Sequence, residues 1–434
     1  MKNRKINSIL NLDIDNEKVK KIGLYGLSFF IPFFIIMGII SILGIYPFGS
    51  KMYIPFDAYE QYTSFFGLFR NLFFGEADIF YSLGKTIGGE IYSIFTYYLL
   101  SPFNLIAIFF KKEYMVVCYY FIVFIKMSSA GTSFFWYLNK KTGIKATNLI
   151  FGTMYALSSA SITYGINMMW LDSLILMPII AIGIEKITKK ESPILYAISL
   201  AICLITNYYM GFIVCIFSLI YFTYILLIEE KRDIKKIEFS FKITDETKEM
   251  LRKFRVFIIF SLIAVLIASI VLIPSFVGIQ EGRANATKMG LRLVPNFEIQ
   301  DFIGKFFTNS FNIGEMGNTG MPPVFCGVLA NFLIILYFIN KKISLREKIC
   351  TSVVFAIFAL SFYVEGFNLL WVMGNNPACF KYRYAFFFAF LYIIIAHKSF
   401  ENLKSGISSK KILITTLIYE MFRSFCIKPT FRNN

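Results

Sequence analysis

Long apolar runs, each about the length that a bilayer core demands of a helix, recur along this chain and leave little room for anything else. They lie at 23–46, 91–110, 114–138, 147–166, 171–187, 193–208, 211–228, 256–277, 323–340, 349–369 and 383–399, with a weaker one from 411. About twenty residues at helical rise match the hydrocarbon thickness, and backbone groups in lipid must be bonded within their own segment, so helices are the default. Only 16% of the residues are charged, where a soluble domain of this length carries about a quarter. The fold class expected is all-α: a polytopic integral membrane protein with about eleven transmembrane helices.

The formal net charge of +17 does not point to nucleic acid. The basic residues sit in short loops between apolar runs, where the positive-inside rule and anionic headgroups account for them. Residues 1–22 carry six Lys/Arg against three Asp/Glu and are expected as a cytoplasmic tail. The run at 23–46 is too long for a signal-peptide core and lacks an obvious cleavage site, so it reads as a retained helix.

The basic loops at 139–145 (NKKTGIK), 185–191, 229–255, 341–348 and 398–411 all fall on the cytoplasmic side if alternation is counted from NKKTGIK. Counting from the N-terminus gives the opposite parity unless one early segment does not cross. The run at 91–110 is interrupted by Ser101-Pro102-Phe103-Asn104, and proline removes a donor and breaks a helix. That segment is expected to be re-entrant or interfacial. A membrane domain over 23–424 follows, with outer loops at 47–112 and 278–322 and a short tail at 425–434. The N-M-M-W-L-D turn at 167–172, N-Y-Y-M-G at 207–211 and 370–382 then share the outer face.

Several chemistries are excluded. The seven cysteines show no CxxC or other metal spacing, and His397 is the one histidine, which removes histidine catalysis and multi-histidine zinc. The cysteines lie mostly inside apolar runs and read as buried thiols, with a disulfide between Cys326 and Cys379, both near the outer face, as the lesser alternative. No P-loop, GxGxxG fingerprint or fixed-period repeat is present. The 229–255 loop, with nine basic and seven acidic residues, reads as a solvated cytoplasmic helix or linker.

The candidates for chemistry lie on the expected outer face. Asp57 comes about ten residues past the first membrane exit, followed by Glu60, Gln61 and Tyr62. A carboxylate beside a low-dielectric interface suits a general base acting on a hydroxyl; an ordinary solvated acid is the other reading, and Glu60 and Asp78 compete for the role. Asp172, at the start of an apolar helix, is either an N-cap or a second outer acid. Lys126 lies mid-run beside Ser128 and Ser129, and a lysine in a membrane helix either pairs with an acid, holds an anionic group or rests on backbone carbonyls. Arg283, Lys288 and Arg292 follow the run at 256–277, and Lys381 and Arg383 sit in FKYRYAFF. A guanidinium at a helix mouth either meets a phosphate or snorkels to headgroups, and Tyr382 and Tyr384 beside it suit an interfacial belt. The Gly-rich stretch at 312–323 reads as an outer loop or lid.

These segments together resemble one family. PFDAYEQY, the glycines at Gly84, Gly88 and Gly89, and YYLLSPFN are similar to the first outer loop of the YfhO family of bacterial membrane proteins. MMWLDSLILMPII (168–180), ITNYYMGFIVCIFSLIYF (205–222), IPSFVGIQEGR (273–283), GMPPVFCG (320–327) and FKYRYAFFFAF (380–390) follow in order and cover nearly the whole chain. The resemblance implies a GT-C-like glycosyltransferase that takes a sugar from a polyprenyl-phosphate carrier at the outer leaflet. Its acceptor would be a cell-surface polymer of the lipoteichoic-acid kind. It also implies Asp57 as the catalytic base, with Arg383 and Arg283 as our own candidates for the carrier phosphate. Glu60, Gln61, Tyr62, Lys126 and Asp172 complete the expected substrate-binding set. Family members continue beyond this length, so the resemblance makes the chain look C-terminally truncated, ending where Glu420, Arg423 and Lys428 spoil a further span.

No cofactor is expected. A divalent ion shared by two outer acids would be compatible, but nothing in the sequence requires one. The competing readings are a transporter or flippase for a lipid-linked or anionic solute, and an inactive fragment.

Overall fold

The computed structural model describes residues 16–52, 57–85, 88–229, 245–281, 292–308, 320–374, 377, 379–403 and 408–426. Helices dominate, in the order α1 (Asn16–Ile42), α2 (Thr63–Phe73), α3 (Tyr92–Tyr98), α4 (Met115–Thr142), α5 (Asn148–Ala156), α6 (Ser159–Tyr164), α7 (Leu171–Thr188), α8 (Ile194–Thr206), α9 (Tyr208–Glu229), α10 (Asp245–Glu281), α11 (Ile299–Gly304), α12 (Val328–Ile339), α13 (Leu345–Tyr363), α14 (Glu365–Trp371), α15 (Ala385–Leu403) and α16 (Ser409–Cys426). A two-residue antiparallel hairpin pairs Tyr81 with Glu90.

Among the described residues, six helices are long and apolar enough to cross a membrane: Glu17–Ile42, Lys112–Thr142, Met168–Thr188, Tyr208–Glu229, Asp245–Gln280 and Ala385–Leu403. The count of about eleven read from the sequence also takes in pieces that are shorter or broken. α8 and α12 are short apolar helices, and the run at 147–166 divides into α5 and α6, where the Ser158 side chain accepts from the Ser161 N–H. The 91–110 run is broken as its proline demands: α3 and the 3₁₀ segment Pro102–Phe109 meet at 102°.

The bilayer, not a water-facing surface, accounts for the outside of this bundle. Only 17% of the apolar window of α1 and 22% of that of α10 is buried inside the protein. Phe30, Phe34, Leu262, Leu266 and Ile270 stand outward on them. In water such stripes would drive association; in lipid they cost nothing. α10, at 37 residues, is about 55 Å long at helical rise and so extends beyond a membrane core at its charged start.

The helices pack closely through glycine. A Cβ on Gly183 of α7 would lie 2.6 Å from the backbone N and Cα of Tyr196 on α8, and Gly131 and Gly152 face each other between α4 and α5. With no hydrophobic drive between helices in lipid, such small residues at crossings let backbones approach and gain contact.

The basic loops gather at one end of the bundle. Lys141 reaches Glu185 at 2.5 Å, Lys145 reaches Glu401 at 2.5 Å, Lys190 reaches Glu249 at 2.6 Å and Lys398 reaches Glu347 at 2.6 Å. Arg346 donates to the Leu227 carbonyl. Glu185 is buried and also accepts from Tyr137 and Tyr221 at 2.9 and 2.8 Å. His397 is buried at this same end against Asn148. The helix breaks carrying the candidate residues lie at the other.

Some expectations are corrected. Cys326 and Cys379 are both free thiols, as the reading of the cysteines as thiols has it, and the alternative disulfide is not formed. Tyr382 and Tyr384 are not an interfacial belt: both are buried, and Tyr384 donates to the Ser361 carbonyl at 2.7 Å. α1 begins within the stretch expected as a tail; of the 229–255 segment, read as a helix or a linker, the part from Asp245 onward is helix, the first turns of α10. Arg283, Lys288 and most of the Gly-rich 312–323 stretch lie outside the described residues, as do 230–244.

Candidate functional site

Asp57 precedes a π-helical turn, Ala58–Tyr62, that runs directly into α2. Widened turns of this kind are uncommon and frequent at functional positions. Here the turn splits its residues between two environments. Asp57, Tyr59 and Glu60 are exposed, and Gln61 donates to the Asp57 carboxylate at 3.3 Å. Tyr62 is buried, and its hydroxyl donates to the Asn167 side chain at 2.7 Å. Burial pushes the Tyr62 phenol well above its ordinary range, with Tyr98, Tyr97 and Asp57 adding to it, so it is a neutral donor. Asp78 is occupied otherwise: its carboxylate accepts the backbone N–H groups of Phe80 and Tyr81 and shapes the hairpin.

From Tyr62 a wall of aromatic rings crosses the site. Its ring centre is 6.5 Å from that of Tyr119 and 5.4 Å from that of Tyr98. Tyr98 adjoins Tyr97 at 4.6 Å, and Tyr97 contacts Tyr208 and Tyr209 at 5.5 and 6.5 Å. Asn207, which separates α8 from α9, donates to the Tyr97 carbonyl and with its other end caps α9 at Met210. Trp170 donates its indole N–H to the Tyr97 hydroxyl at 3.2 Å.

Arg383 lies at the far side of this wall. Its guanidinium carbon is 4.7 Å from the centre of the Trp170 ring and 4.8 Å from that of Tyr209. It donates to the backbone carbonyls of Phe380 and Cys379. Among the described residues no carboxylate lies within ion-pair distance of it. A planar cation held between two aromatic faces is stabilised by their quadrupoles and keeps its positive charge available to an anion. It does not snorkel. Ring contacts run from Tyr62, on the turn that follows Asp57, through Tyr98 and Tyr97 to Tyr209, which faces the guanidinium. Lys381, two residues away, donates to Asn296 at 2.6 Å. Burial pushes its ammonium below the ordinary lysine range, against the pull of Glu365.

Lys126 and Asp172 find each other. The ammonium is 2.7 Å from one carboxylate oxygen of Asp172, and Ser101 donates to the other at 2.7 Å. Lys126 also donates to the Met168 carbonyl at 3.1 Å and faces the ring of Phe103. Both side chains are enclosed, at 0% and 4% exposure. Asp172 does not cap its helix: Trp170 occupies the cap position and makes no side-chain cap bond. An enclosed carboxylate beside a lysine gains far more from the ammonium than from a helix terminus, and it presents no free second acid beside Asp57. The pair ties α4 and α7 to the Ser101-Pro102 break.

Sequence reasoning missed Trp170, Tyr209, Tyr97, Asn167 and Ser101. The two turns that hold them stood out as outer-face motifs, but in a chain that is 18% aromatic no spacing singles out the rings that face a cation. Among the described residues, no three His, Cys, Asp or Glu side chains come together to hold a metal ion. Asp172 is committed to Lys126 and Ser101, so it is not a natural partner for a metal at Asp57.

Comparison with known families matches residues 28–432 to the one described as bacterial membrane protein YfhO. No curated protein and no solved structure matches the chain.

Proposed function

The chain belongs to the YfhO family of bacterial membrane proteins, and from that premise we propose that it is a membrane glycosyltransferase with a polyprenyl-phosphate sugar as donor. The observation that carries this reading is Arg383, an arginine without an acidic partner among the described residues, held between Trp170 and Tyr209 on the same site as the exposed Asp57. A guanidinium so placed suits a phosphate, and an exposed carboxylate suits an acceptor hydroxyl.

In this reading Asp57 takes the proton of the acceptor hydroxyl as its oxygen attacks the anomeric carbon. The bond from that carbon to the carrier phosphate breaks with inversion, and the phosphate leaves with the electron pair toward Arg383. Glu60 and Gln61 line the approach of the acceptor; Gln61 also orients Asp57. Tyr62, Lys126 and Asp172 act through what they hold in place. The site lies outside the cell: the basic loops gathered at the opposite end favour the cytoplasm by the positive-inside rule. The span count of about eleven belongs to this reading, with α8, α12, α13, α16 and the α5–α6 pair counted as crossings beside the six.

Sugar transfer from labelled polyprenyl-phosphate donors, measured in membranes with release of carrier phosphate, tests this. Asp57→Asn should abolish transfer with expression unchanged; equal transfer in both proteins would remove Asp57 as the base. A second reading, transport of a lipid-linked or anionic solute, is favoured by the buried Lys126–Asp172 pair, since ionisable groups inside membrane bundles often mark pathways. Binding of donor with movement across the bilayer and no transfer would select it.

A further inference from the structure

The short antiparallel hairpin between α2 and α3 carries large apolar side chains on both faces. Phe80, Tyr81 and Leu83 are all exposed, Phe80 at 65%, and successive residues of a strand point to opposite sides. A lone two-stranded hairpin is marginal in water, and a covering for its apolar side chains is what it lacks. On the protein side the Phe80 ring stacks on Tyr92, at the start of α3, with ring centres 5.9 Å apart.

This stack is continuous with the lipid-facing surface of α10. The Tyr92 hydroxyl donates to the Ile270 carbonyl at 3.5 Å, and Ser275 of α10 is hydrogen-bonded to Thr96 of α3 at 2.7 Å. Ile270, Ile273 and Phe276 around these contacts are exposed, Ile270 at 75%. The apolar run of α10 ends at 277, so Ile270 lies about 10 Å inside that end at helical rise. In a core about 30 Å thick that is the hydrocarbon of one leaflet. The charged groups of the hairpin are held nearer the boundary. Gly278, just past the run, comes so near Glu90 that a Cβ there would fall 3.2 Å from its carboxylate. That carboxylate accepts from the Ser93 N–H and hydroxyl and meets Lys85 at 3.7 Å, while Asp78 turns onto the N–H groups of Phe80 and Tyr81.

We propose that the hairpin is a lipid-docking surface: Phe80 packs among the phospholipid acyl chains of the leaflet at the site end, with Tyr81 and the Lys85–Glu90 pair at headgroup level. A tyrosine at that depth keeps its ring in the interface and its hydroxyl in water. The hairpin leads directly into α3, which carries Tyr97 and Tyr98, so the leaflet holds one end of the aromatic wall. The inference uses the lipid-facing side of α10 and no part of the glycosyltransferase reading.

The test puts photoreactive p-benzoylphenylalanine in place of Phe80 in the full chain, in vesicles of phosphatidylethanolamine and phosphatidylglycerol. The same residue in place of Ile270 is the lipid-facing reference. Irradiation and mass spectrometry should show phospholipid attached at Phe80 in a yield comparable with that at Ile270, with the new bond on an acyl chain. In place of Tyr81, where the Phe80–Tyr92 stack is spared, the bond should move toward the glycerol and headgroup. Crosslinks at Phe80 to a second copy or to another protein would overturn the proposal, as would the absence of any adduct there while Ile270 takes lipid. Shielding of the buried Cys118 thiol checks the fold of each variant. Should the Phe80 variant fail that check, the Tyr81 variant decides alone, and no lipid adduct there overturns the proposal.

Discussion

Replacing Lys126 alone should destabilise this bundle far more than replacing Lys126 and Asp172 together. The ammonium and carboxylate lie 2.7 Å apart, at 0% and 4% exposure, so neither charge has water to fall back on. Removing one partner of a buried pair costs about 3–5 kcal/mol because the other charge is stranded, whereas an apolar pair of similar volume is often neutral or stabilising. Lys126→Met leaves Asp172 with Ser101 as a donor, and the acid can take up a proton and become neutral. The lower end, about 3 kcal/mol, is therefore expected, a shift of roughly a hundredfold in the folding equilibrium. Asp172→Leu strands Lys126 with only the Met168 carbonyl and should reach the upper end.

The assay is unfolding of wild type, both single variants and the double variant in detergent micelles, followed by reaction of a thiol probe with Cys118 of α4 and Cys203 of α8. Both thiols are buried in the folded protein; Cys118 lies on α4, which the pair holds, and Cys203 on α8, which packs on α7 at Gly183. The coupling energy of the cycle should be about 2 kcal/mol or more, and insensitive to salt, since a buried pair is poorly screened. A coupling near ~0.6 kcal/mol, the average for hydrogen bonds between membrane helices, would refute the reasoning: the charges would then be hydrated or unformed.

Asp57→Asn should leave stability within about ±0.5 kcal/mol, as expected of an exposed side chain; a large drop in the same unfolding assay would make Asp57 a structural residue. Arg383→Lys should lower transfer at limiting donor by about tenfold or more, because an ammonium neither stacks between two rings nor meets a phosphate in two places; a wild-type rate would sever Arg383 from the donor. Gly183→Ala should cost about 1–3 kcal/mol through overpacking against Tyr196, read from the same thiol kinetics, with no loss if α7 and α8 cross less closely. Glu185→Leu strands Lys141 and two tyrosine hydroxyls and should exceed Glu185→Gln in cost, by unfolding midpoint; equal costs would mean the carboxylate charge is unused.

What was legible beforehand follows from where lipid and proline act locally. The apolar runs and the break at Ser101-Pro102 each depend on a few neighbouring residues: six of the runs hold helices long enough to cross a membrane, and the break lies where its proline stands. Lys126 stood out because a charge in an apolar run has to be explained, but its partner could not be chosen among several outer acids: that choice is made by helix packing between distant segments. Arg383 is the same case more strongly. The rings that sandwich it come from the 167–172 turn and the start of α9, and nothing at those positions distinguishes them from the other tyrosines and tryptophans of an aromatic-rich chain. The division of the 147–166 run was missed because Ser158 breaks the helix by a cap, without the proline that exposed the other break.

The packing at the site end has a common cause. Interrupted helices leave carbonyls without partners, and at membrane depth such groups are tolerated only inside protein or against water. Each interruption here is answered by a side chain, most of them from another element: Asn207 to the Tyr97 carbonyl, Asn104 to Tyr98, Tyr119 to Ile166, Lys126 to Met168, Arg383 to Phe380 and Cys379. The groups that look functional in sequence are therefore also the ones that hold the broken backbone, and a substitution at most of them would confound binding with folding. Asp57 differs. Its carboxylate is exposed, and among the described residues its side-chain hydrogen bond is a long one from Gln61 on the next turn. An exposed acid that the frame does not use makes Asp57 the position where the proposed transfer can be tested without loss of fold.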